Sequence, residues 1–412
     1  MHNCFHAADI LIPQHISLKK WSCIATDQYS SQIEYWDRVA DFVGDAPSTL
    51  KLIYPEAILR ERPEPGRPET IHRTMEQYCN AKMFQRFRRS FIYVERVMLS
   101  GKKRRGIVGQ IDLEEYDFEP GASAYIRATE GTVLDRIPPR MDLLREALLE
   151  FPHVLLLCDD RKDAIMSAAE RCAGELVYDF DLMEDGGHIT GRLISGLGVS
   201  IVNSAVSEYI AAIEYGKSVT QRMAFAVGDG NHSLAAAKAC WDEIKGNLTA
   251  EEFCNHPARF ALVELENIHD SAIEFEPIHR VILGAEFSSV LKALLESCAS
   301  TEDDGYPVEL VSGMWHETVY IPRKNTPLAL AVLQPVLDHY IAEHKLRIDY
   351  IHGADVVRDL SRDGENVGII LPGIDKNKLF EGVLYNGVLP RKTFSMGHAC
   401  EKRYYLEGKY RR

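Results

Sequence analysis

The sequence predicts an α+β (mixed α/β) fold in two parts, a main α/β domain over residues 1–269 and a smaller α+β domain over 270–412. Three observations predict it. From about residue 150 onward, short apolar runs exchange with helical patterns, the alternation expected of strands and helices sharing one core. At 412 residues the chain exceeds the size that one core usually fills. Its composition, 46% hydrophobic and 26% charged, supplies a large buried interior.

Taken in order, RERPEPGRPET at 60–70 reads as an exposed, proline-rich connection, and HRTMEQYCNAKMFQRF after it as a helix. FIYVERVML and IVGQIDL read as strands joined by the basic turn SGKKRRG. The four consecutive basic residues Lys102 to Arg105 read as a solvated hairpin tip rather than an anion site. HVLLLC follows as a strand, DRKDAIMSAAERCAG as a helix closed at Gly174, and ELVYDFDLM with HITGRLI as a hairpin across the Asp-Gly turn. SAVSEYIAAIEYG is a helix, MAFAVG a strand and HSLAAAKACWDEIKG a helix. Beyond Asn267, EFSSVLKALLESC, PVELVSG, ETVYIP, LALAVLQPVLDHYIAEH, VVRDLSR and NVGIILPG alternate again and form the second unit.

Charge and cysteine content narrow the functional classes. Forty-seven Lys and Arg against 61 Asp and Glu leave a net charge of −14, which disfavours nucleic-acid binding through long-range attraction. Nine cysteines form no C-x-x-C pair and several sit in apolar runs, so reduced thiols in a cytoplasmic protein are expected. The first residues, MHNCFHAADILIPQHISLKKW, have neither a signal-peptide core nor a membrane span, and no stretch approaches the roughly 20 apolar residues a spanning helix needs. The expected partners are a small-molecule substrate and a nucleotide, with no nucleic acid and no membrane, and the sequence leaves the oligomeric state open.

Four segments can carry chemistry. In MAFAVGDGNHSLAAAK a strand gives way to a helix through Asp229, Gly230, Asn231, His232 and Ser233. The opening N–H groups of such a helix favour an anion, and a glycine clears its approach. Asp229 can hold a divalent metal or accept a hydroxyl proton. A tight turn with Asn231 as cap and a merely hydrogen-bonded His232 fits the same residues. YIRATEGTVLDRIPPR crowds Arg127, Thr129, Glu130, Asp135, Arg136 and Arg140 around a Gly and two prolines. Guanidinium forks suit phosphate oxygens, although a self-neutralising loop is the plain alternative. In LPRKTFSMGHACEKRYYLEG, Arg391, Lys392, Thr393 and Ser395 can meet an anion or simply close a hairpin after the Tyr385–Gly387 turn. In IATDQYSSQIEYW, Asp27 and Gln28 precede serines placed to cap a helix. Neither G-x-x-x-x-G-K-[ST] nor G-x-G-x-x-G occurs, H-E-x-x-H is absent, and no G-x-S-x-G marks a nucleophile.

ATDQYSS, RATEGTVLDRIPPR, GDGNHSLAAAK, FEPIHR and LPRKTFSMG, in that order along nearly the whole chain, resemble the bacterial domain of unknown function 1015 family. Many relatives carry Asp-Gly-His-His-Arg where this chain has residues 229–233, a motif similar to that of free-serine kinases in the ParB and sulfiredoxin-like superfamily. That resemblance implies a ParB/sulfiredoxin-like core and a nucleotide-dependent phosphotransferase for a small hydroxylated metabolite, with free L-serine as first candidate. ATP or ADP is the implied co-substrate, with Mg2+ at Asp229. Asp229, Gly230 and His232 match the motif, whereas Asn231 and Ser233 depart from it. The expected roles are catalysis by Asp229, Glu130 and His232, and phosphate binding by Gly230, Asn231, Ser233, Arg127, Thr129 and Arg136. Asp27, Gln28, Arg391 and Lys392 are additional anion or substrate contacts. With no arginine at 233, Arg127 or Arg136 is expected to fill that place. A nucleotide sensor without turnover is the alternative, and DNA binding by analogy with ParB is disfavoured by charge.

Overall fold

A computed structural model describes residues 3–412 except 31, 132–136, 216–217, 219–220 and 324–327. Its larger sheet has eleven strands, and a path of nine runs Tyr116–Asp117, Ile126–Ala128, Phe225–Asp229, Leu155–Cys158, Phe260–Asn267, Lys103–Asp112, Phe84–Val97, His188–Ile194, Leu176–Asp181. Phe5–His6 pairs with Lys103–Asp112, and Ala8–Pro13 with Phe84–Val97. The mixed α/β class is therefore observed, with helices on both faces of a mixed sheet. One apolar cluster gathers Trp21, Trp36, Ile71 and Tyr404, and another Phe91, Ile165, Val206, Phe225 and Trp241.

Most elements form where their periodicity places them. The strands Phe84–Val97 and Lys103–Asp112 pair antiparallel, and Leu176–Asp181 pairs with His188–Ile194. The helices Ala164–Cys172, Leu197–Glu214 and Asn231–Lys245 follow their apolar stripes. Three segments differ from expectation. Of the basic run, Lys103, Arg104 and Arg105 lie in the strand and not at a solvated tip, and Arg104 is buried beside Glu266 because that acid needs a cation. FQRF is strand rather than helix, because the helix Arg67–Asn80 stops before Lys82, which takes a left-handed φ of 52°, and Phe84–Phe87 then pairs with Ile10–Pro13. The Tyr385–Gly387 stretch is no hairpin turn but the end of the helix Leu379–Asn386, where the Gly387 N–H donates to the Val383 carbonyl.

The second sheet is built from Trp315–Pro322, Gly305–Ser312, Asn366–Ile370, Phe275–Leu283 and Arg347–His352, in that order, with Phe394–Met396 added beside Phe275–Leu283. Its core includes Val290 and Leu294 from the helix Phe287–Cys298, and Leu333 and Leu337 from Ala329–His344. Thereafter the chain returns to the first sheet. Tyr404, Tyr405 and Leu406 are buried in the first cluster, Ile24 bridges Tyr404, Leu11 bridges Gly408, and Lys409–Tyr410 pairs with Leu149–Glu150. Among the described residues, no helix is long and apolar enough to cross a membrane.

This return generates a test of where the main unit ends. A 1–269 fragment lacks Tyr404, Tyr405, Leu406 and the Lys409–Tyr410 strand, leaving their buried contacts open. It is expected to unfold without the cooperative thermal transition of the full chain. Calorimetry checks this, and a transition at the full chain's temperature would show the tail to be dispensable.

Candidate functional site

The site forms where the strands Ile126–Ala128 and Phe225–Asp229, parallel and in register, both end. Gly230 follows with φ of 81°, and the helix Asn231–Lys245 starts without a side-chain cap. Glycine is demanded there twice over. The left-handed backbone disfavours any Cβ, and a Cβ would stand 3.1 Å from the Val154 Cα and 3.5 Å from the His153 ring. The Gly230 N–H donates to Asp229 Oδ1 at 2.9 Å.

Asn231 does not cap the helix. Its Oδ1 accepts from the Thr129 N–H at 3.3 Å, and its Nδ2 donates to the Val227 carbonyl and Thr129 Oγ1, each at 3.4 Å. The Thr129 hydroxyl donates to the Val227 carbonyl at 2.7 Å. These side chains thus lock the two strand ends together. An anion at this turn would therefore meet backbone N–H groups of the helix start, which have no carbonyl one turn earlier. His232 is half-buried in that first turn.

Asp229 is mostly buried, and its Oδ2 lies 3.4 Å from Lys402 Nζ, a lysine only 7% exposed. Glu130 bridges Leu389, whose N–H donates to the Thr129 carbonyl at 2.8 Å. The Glu130 Oε1 accepts from the Thr393 N–H at 3.3 Å. Burial pushes the Glu130 carboxyl above its ordinary range, with Asp229 adding in the same direction, while Lys392 and the backbone N–H groups of 392 and 393 oppose it. Lys392 has a left-handed φ of 55°, and its carbonyl accepts from the fully buried Arg280 at 2.9 Å. Arg280 also donates to the Arg391 carbonyl at 3.2 Å and to Gln334 Oε1 at 3.0 Å.

Asp27 reaches the same region from near the chain's start. Burial alone would raise its carboxyl, but His153 first, then Arg140, the bond from Gln28 and Lys392, together hold it down to about 2. Gln28 Nε2 donates to Asp27 Oδ1 at 3.1 Å, and His153 Nε2 stands 3.9 Å from Asp27 Oδ2 and 3.4 Å from Ser233 Oγ. The other ring nitrogen of His153 pairs with the Tyr405 hydroxyl at 2.8 Å.

The expected arginines are distributed differently. Arg127 Nε donates to the Ala124 carbonyl at 2.9 Å beside Asp117, burial lowers its pKa, and it does not line the cavity that Ser233 lines. Arg136 and Asp135 lie outside the described residues. Arg391 turns to Tyr350, donating from Nε to the hydroxyl at 2.9 Å. The arginine that shares a cavity wall with Ser233 and His153 is Arg140, which ion-pairs with Glu56 at 2.5 Å. Lys402, His153 and Arg280 were not read from sequence as site residues. Among the described residues, no group of three His, Cys, Asp or Glu is placed to hold a metal ion.

The chain belongs to the family described as "Protein of unknown function (DUF1015)", whose model matches residues 11–340. A search of curated proteins finds no match. Among solved structures it is similar to a free serine kinase in complex with AMP, at 12% identity over 72% of this chain and 90% of that one, with a TM-score of 0.40. A mutant free serine kinase in complex with ADP gives 11% identity, 73% and 91% coverage and a TM-score of 0.40. C-terminally truncated SbnI from Staphylococcus aureus gives 10%, 70%, 82% and 0.36.

Two outcomes follow from this geometry. Gly230→Ala forces a Cβ into the left-handed region and against Val154, and is expected to destabilise the fold by about 1–3 kcal/mol, read as a lower denaturation midpoint. For Asp27, a depressed folded pKa means stability that is present above the unfolded value near ~3.9 and lost as pH falls toward about 2. His153→Gln removes the largest favourable influence and moves the folded value back toward the unfolded one, so the variant should lose less stability than wild type as pH falls from about 4 to about 2, as acid titration of both would show.

Proposed function

We propose that the chain is a nucleotide-dependent phosphotransferase acting on the hydroxyl of a small metabolite. The observation that carries this reading is a pair of carboxylates that both feel the charge of Lys392 and are driven in opposite directions, Glu130 upward by burial and Asp27 down to about 2. Opposed shifts of this kind separate a carboxylate with raised proton affinity, suited to accept a proton, from a partner that stays ionised. Phosphoryl transfer asks mainly for positioning and charge neutralisation, and both are to hand. The start of the Asn231–Lys245 helix, with Gly230 and Ser233, faces the phosphates, and Lys392 stands within electrostatic reach of both Asp27 and Glu130.

In the proposed step, the substrate hydroxyl oxygen bonds to the terminal phosphorus of ATP as the bond from that phosphorus to the bridging oxygen breaks. The hydroxyl proton passes to Glu130, and ADP leaves with the bridging oxygen's electron pair. Asp229, fixed by the Gly230 N–H and Lys402, orients the turn that receives the phosphates. Among the described residues no three His, Cys, Asp or Glu side chains gather around Asp229, and its Oδ2 lies 3.4 Å from Lys402 Nζ. An ion brought by the nucleotide would be held chiefly by phosphates and water, and no step here depends on it. Free L-serine is the first substrate to test, because Asp229, Gly230 and His232 match the serine-kinase motif.

Glu130→Gln tests the reading. It keeps the acceptor for the Thr393 N–H, removes the proton acceptor, and is expected to lower turnover by about 10²–10⁴-fold while nucleotide binding persists. In the wild type, kcat/KM should fall as pH drops through the raised Glu130 value, which lies above the ordinary glutamate value of about 4.3. Because a raised carboxyl makes the ionised form unfavourable in the fold, the same variant should be as stable as wild type, or more so, at pH 8. Absence of transfer from ATP or ADP to serine and a panel of hydroxylated metabolites by the wild type would sink the proposal.

A further inference from the structure

We infer that the cavity beside the first turn of the Asn231–Lys245 helix receives the planar base of the nucleotide, an inference that rests on the phosphotransferase reading. The cavity measures about 150 Å³, and Leu52, Ile53, Leu143, Phe151 and Leu262 are among the apolar side chains that wall it. A dry cavity of roughly that volume lined by Leu, Ile and Phe accepts a benzene-sized ring. The aromatic faces and edges of Tyr54 and Phe151 suit offset or edge contacts with such a ring.

The polar part of the wall decides between ligand classes. Arg140 is paired with Glu56 at 2.5 Å, His153 with Tyr405 at 2.8 Å, and Ser233 with His153 at 3.4 Å. These groups satisfy one another, Arg140 and Glu56 as an ion pair and His153, Tyr405 and Ser233 through hydrogen bonds. A free carboxylate or ammonium entering here would have to compete with the Arg140–Glu56 pair, which Arg60 reinforces from 3.6 Å, at a desolvation cost that an uncharged group does not meet. An uncharged ring with a few polar edge atoms can instead bond to Thr26, Ser233 or Tyr405 without disturbing it. A long hydrocarbon chain needs more room than the cavity has.

Position links the cavity to the phosphates. Ser233 lies both on the cavity wall and in the first turn of the helix. A ligand whose phosphates meet that helix start therefore has its other end at the cavity. His153, at the same wall, also stands 3.9 Å from Asp27, so the base end and that carboxylate share one side chain.

The experiment titrates the full-length protein with ADP, adenosine and tripolyphosphate, and repeats the titrations on Ala237→Leu and Ala147→Leu, which place extra methylenes in the cavity. In the wild type, ADP should bind about tenfold or more tightly than tripolyphosphate, and adenosine should displace ADP. Both variants should weaken ADP and adenosine by about tenfold and leave tripolyphosphate within about twofold. Equal affinity for ADP and tripolyphosphate in the wild type, or unchanged ADP binding in a folded variant, overturns the base pocket while leaving the phosphate reading standing. Adenosine binding without any tripolyphosphate binding keeps the pocket and overturns the phosphate site. If neither variant folds, as judged by thermal unfolding, the wild-type comparison of the three probes still decides.

Discussion

Arg96 is the residue on which the rest of the site depends. Only 3% exposed, it donates to the carbonyls of Cys400, Glu401 and Lys402 at 2.6, 3.0 and 2.6 Å, and to the Gly186 carbonyl at 2.8 and 3.0 Å. Its guanidinium also lies over the Tyr404 ring, 5.0 Å from the centroid. Taking a guanidinium out of water is expensive, and burial, with Arg104 nearby, lowers its pKa to about 10. Charge-assisted bonds to several carbonyls offset that penalty, and the group remains a cation at neutral pH. The result is that three consecutive residues of the returning chain are fixed in space. Lys402 is one of them, so its ammonium reaches Asp229 from a backbone that cannot drift.

A row of buried acids completes the anchorage. Glu264 and Glu266 are two apart on the strand Phe260–Asn267 and therefore point to one face of the sheet. Glu264 binds Arg403, which also pairs with Glu407 at 2.7 Å, and Glu266 lies 2.8 Å from Arg104 Nε. The neighbouring strand makes room with Gly106, where a Cβ would fall 2.3 Å from Glu264 Oε1. Burial raises Glu266 to about 7 in spite of Arg104. Such pairs add little net stability compared with an apolar core, but removing one partner strands the other. Their value lies in register: they admit one placement of residues 400–407 on the sheet.

What was legible in the sequence follows from how local each signal is. The strand Phe225–Asp229, the helix Asn231–Lys245 and both hairpins of the first sheet are written in periodicity and turn residues within a few positions. Asp229, Gly230, Thr129 and Glu130 stand out for the same reason, and they do meet where the parallel strands end. Phe84–Phe87 was not legible as strand, because its partner is the segment at 10–13 and its entry depends on the left-handed Lys82. Lys402 and His153 escaped notice as site residues, since each acquires its meaning from groups far along the chain, Asp229 in the first case and Asp27 and Ser233 in the second; Arg140 stood out in its crowded loop, but not its pairing with the distant Glu56. Arg127 illustrates the converse, an arginine with the right chemistry whose strand position turns it toward the Ala124 carbonyl.

The two sheets are joined at the candidate site itself. Glu130 extends a strand of the first sheet, yet its carboxylate is met by the N–H of Thr393, in the segment leading to the strand that pairs with Phe275–Leu283 in the second. Arg280, on that same strand and fully buried, holds the carbonyls of Arg391 and Lys392. The position of the Lys392 backbone is thereby set by the second sheet, and the environment of Glu130 by the first. A carboxylate raised by burial and tempered by one lysine is sensitive to small changes in that lysine's distance, because Coulomb energy in a poorly screened cleft varies steeply with separation. Glu130 is thus buried at the end of a strand of the first sheet while Lys392, whose carbonyl Arg280 holds from the second, opposes the effect of that burial.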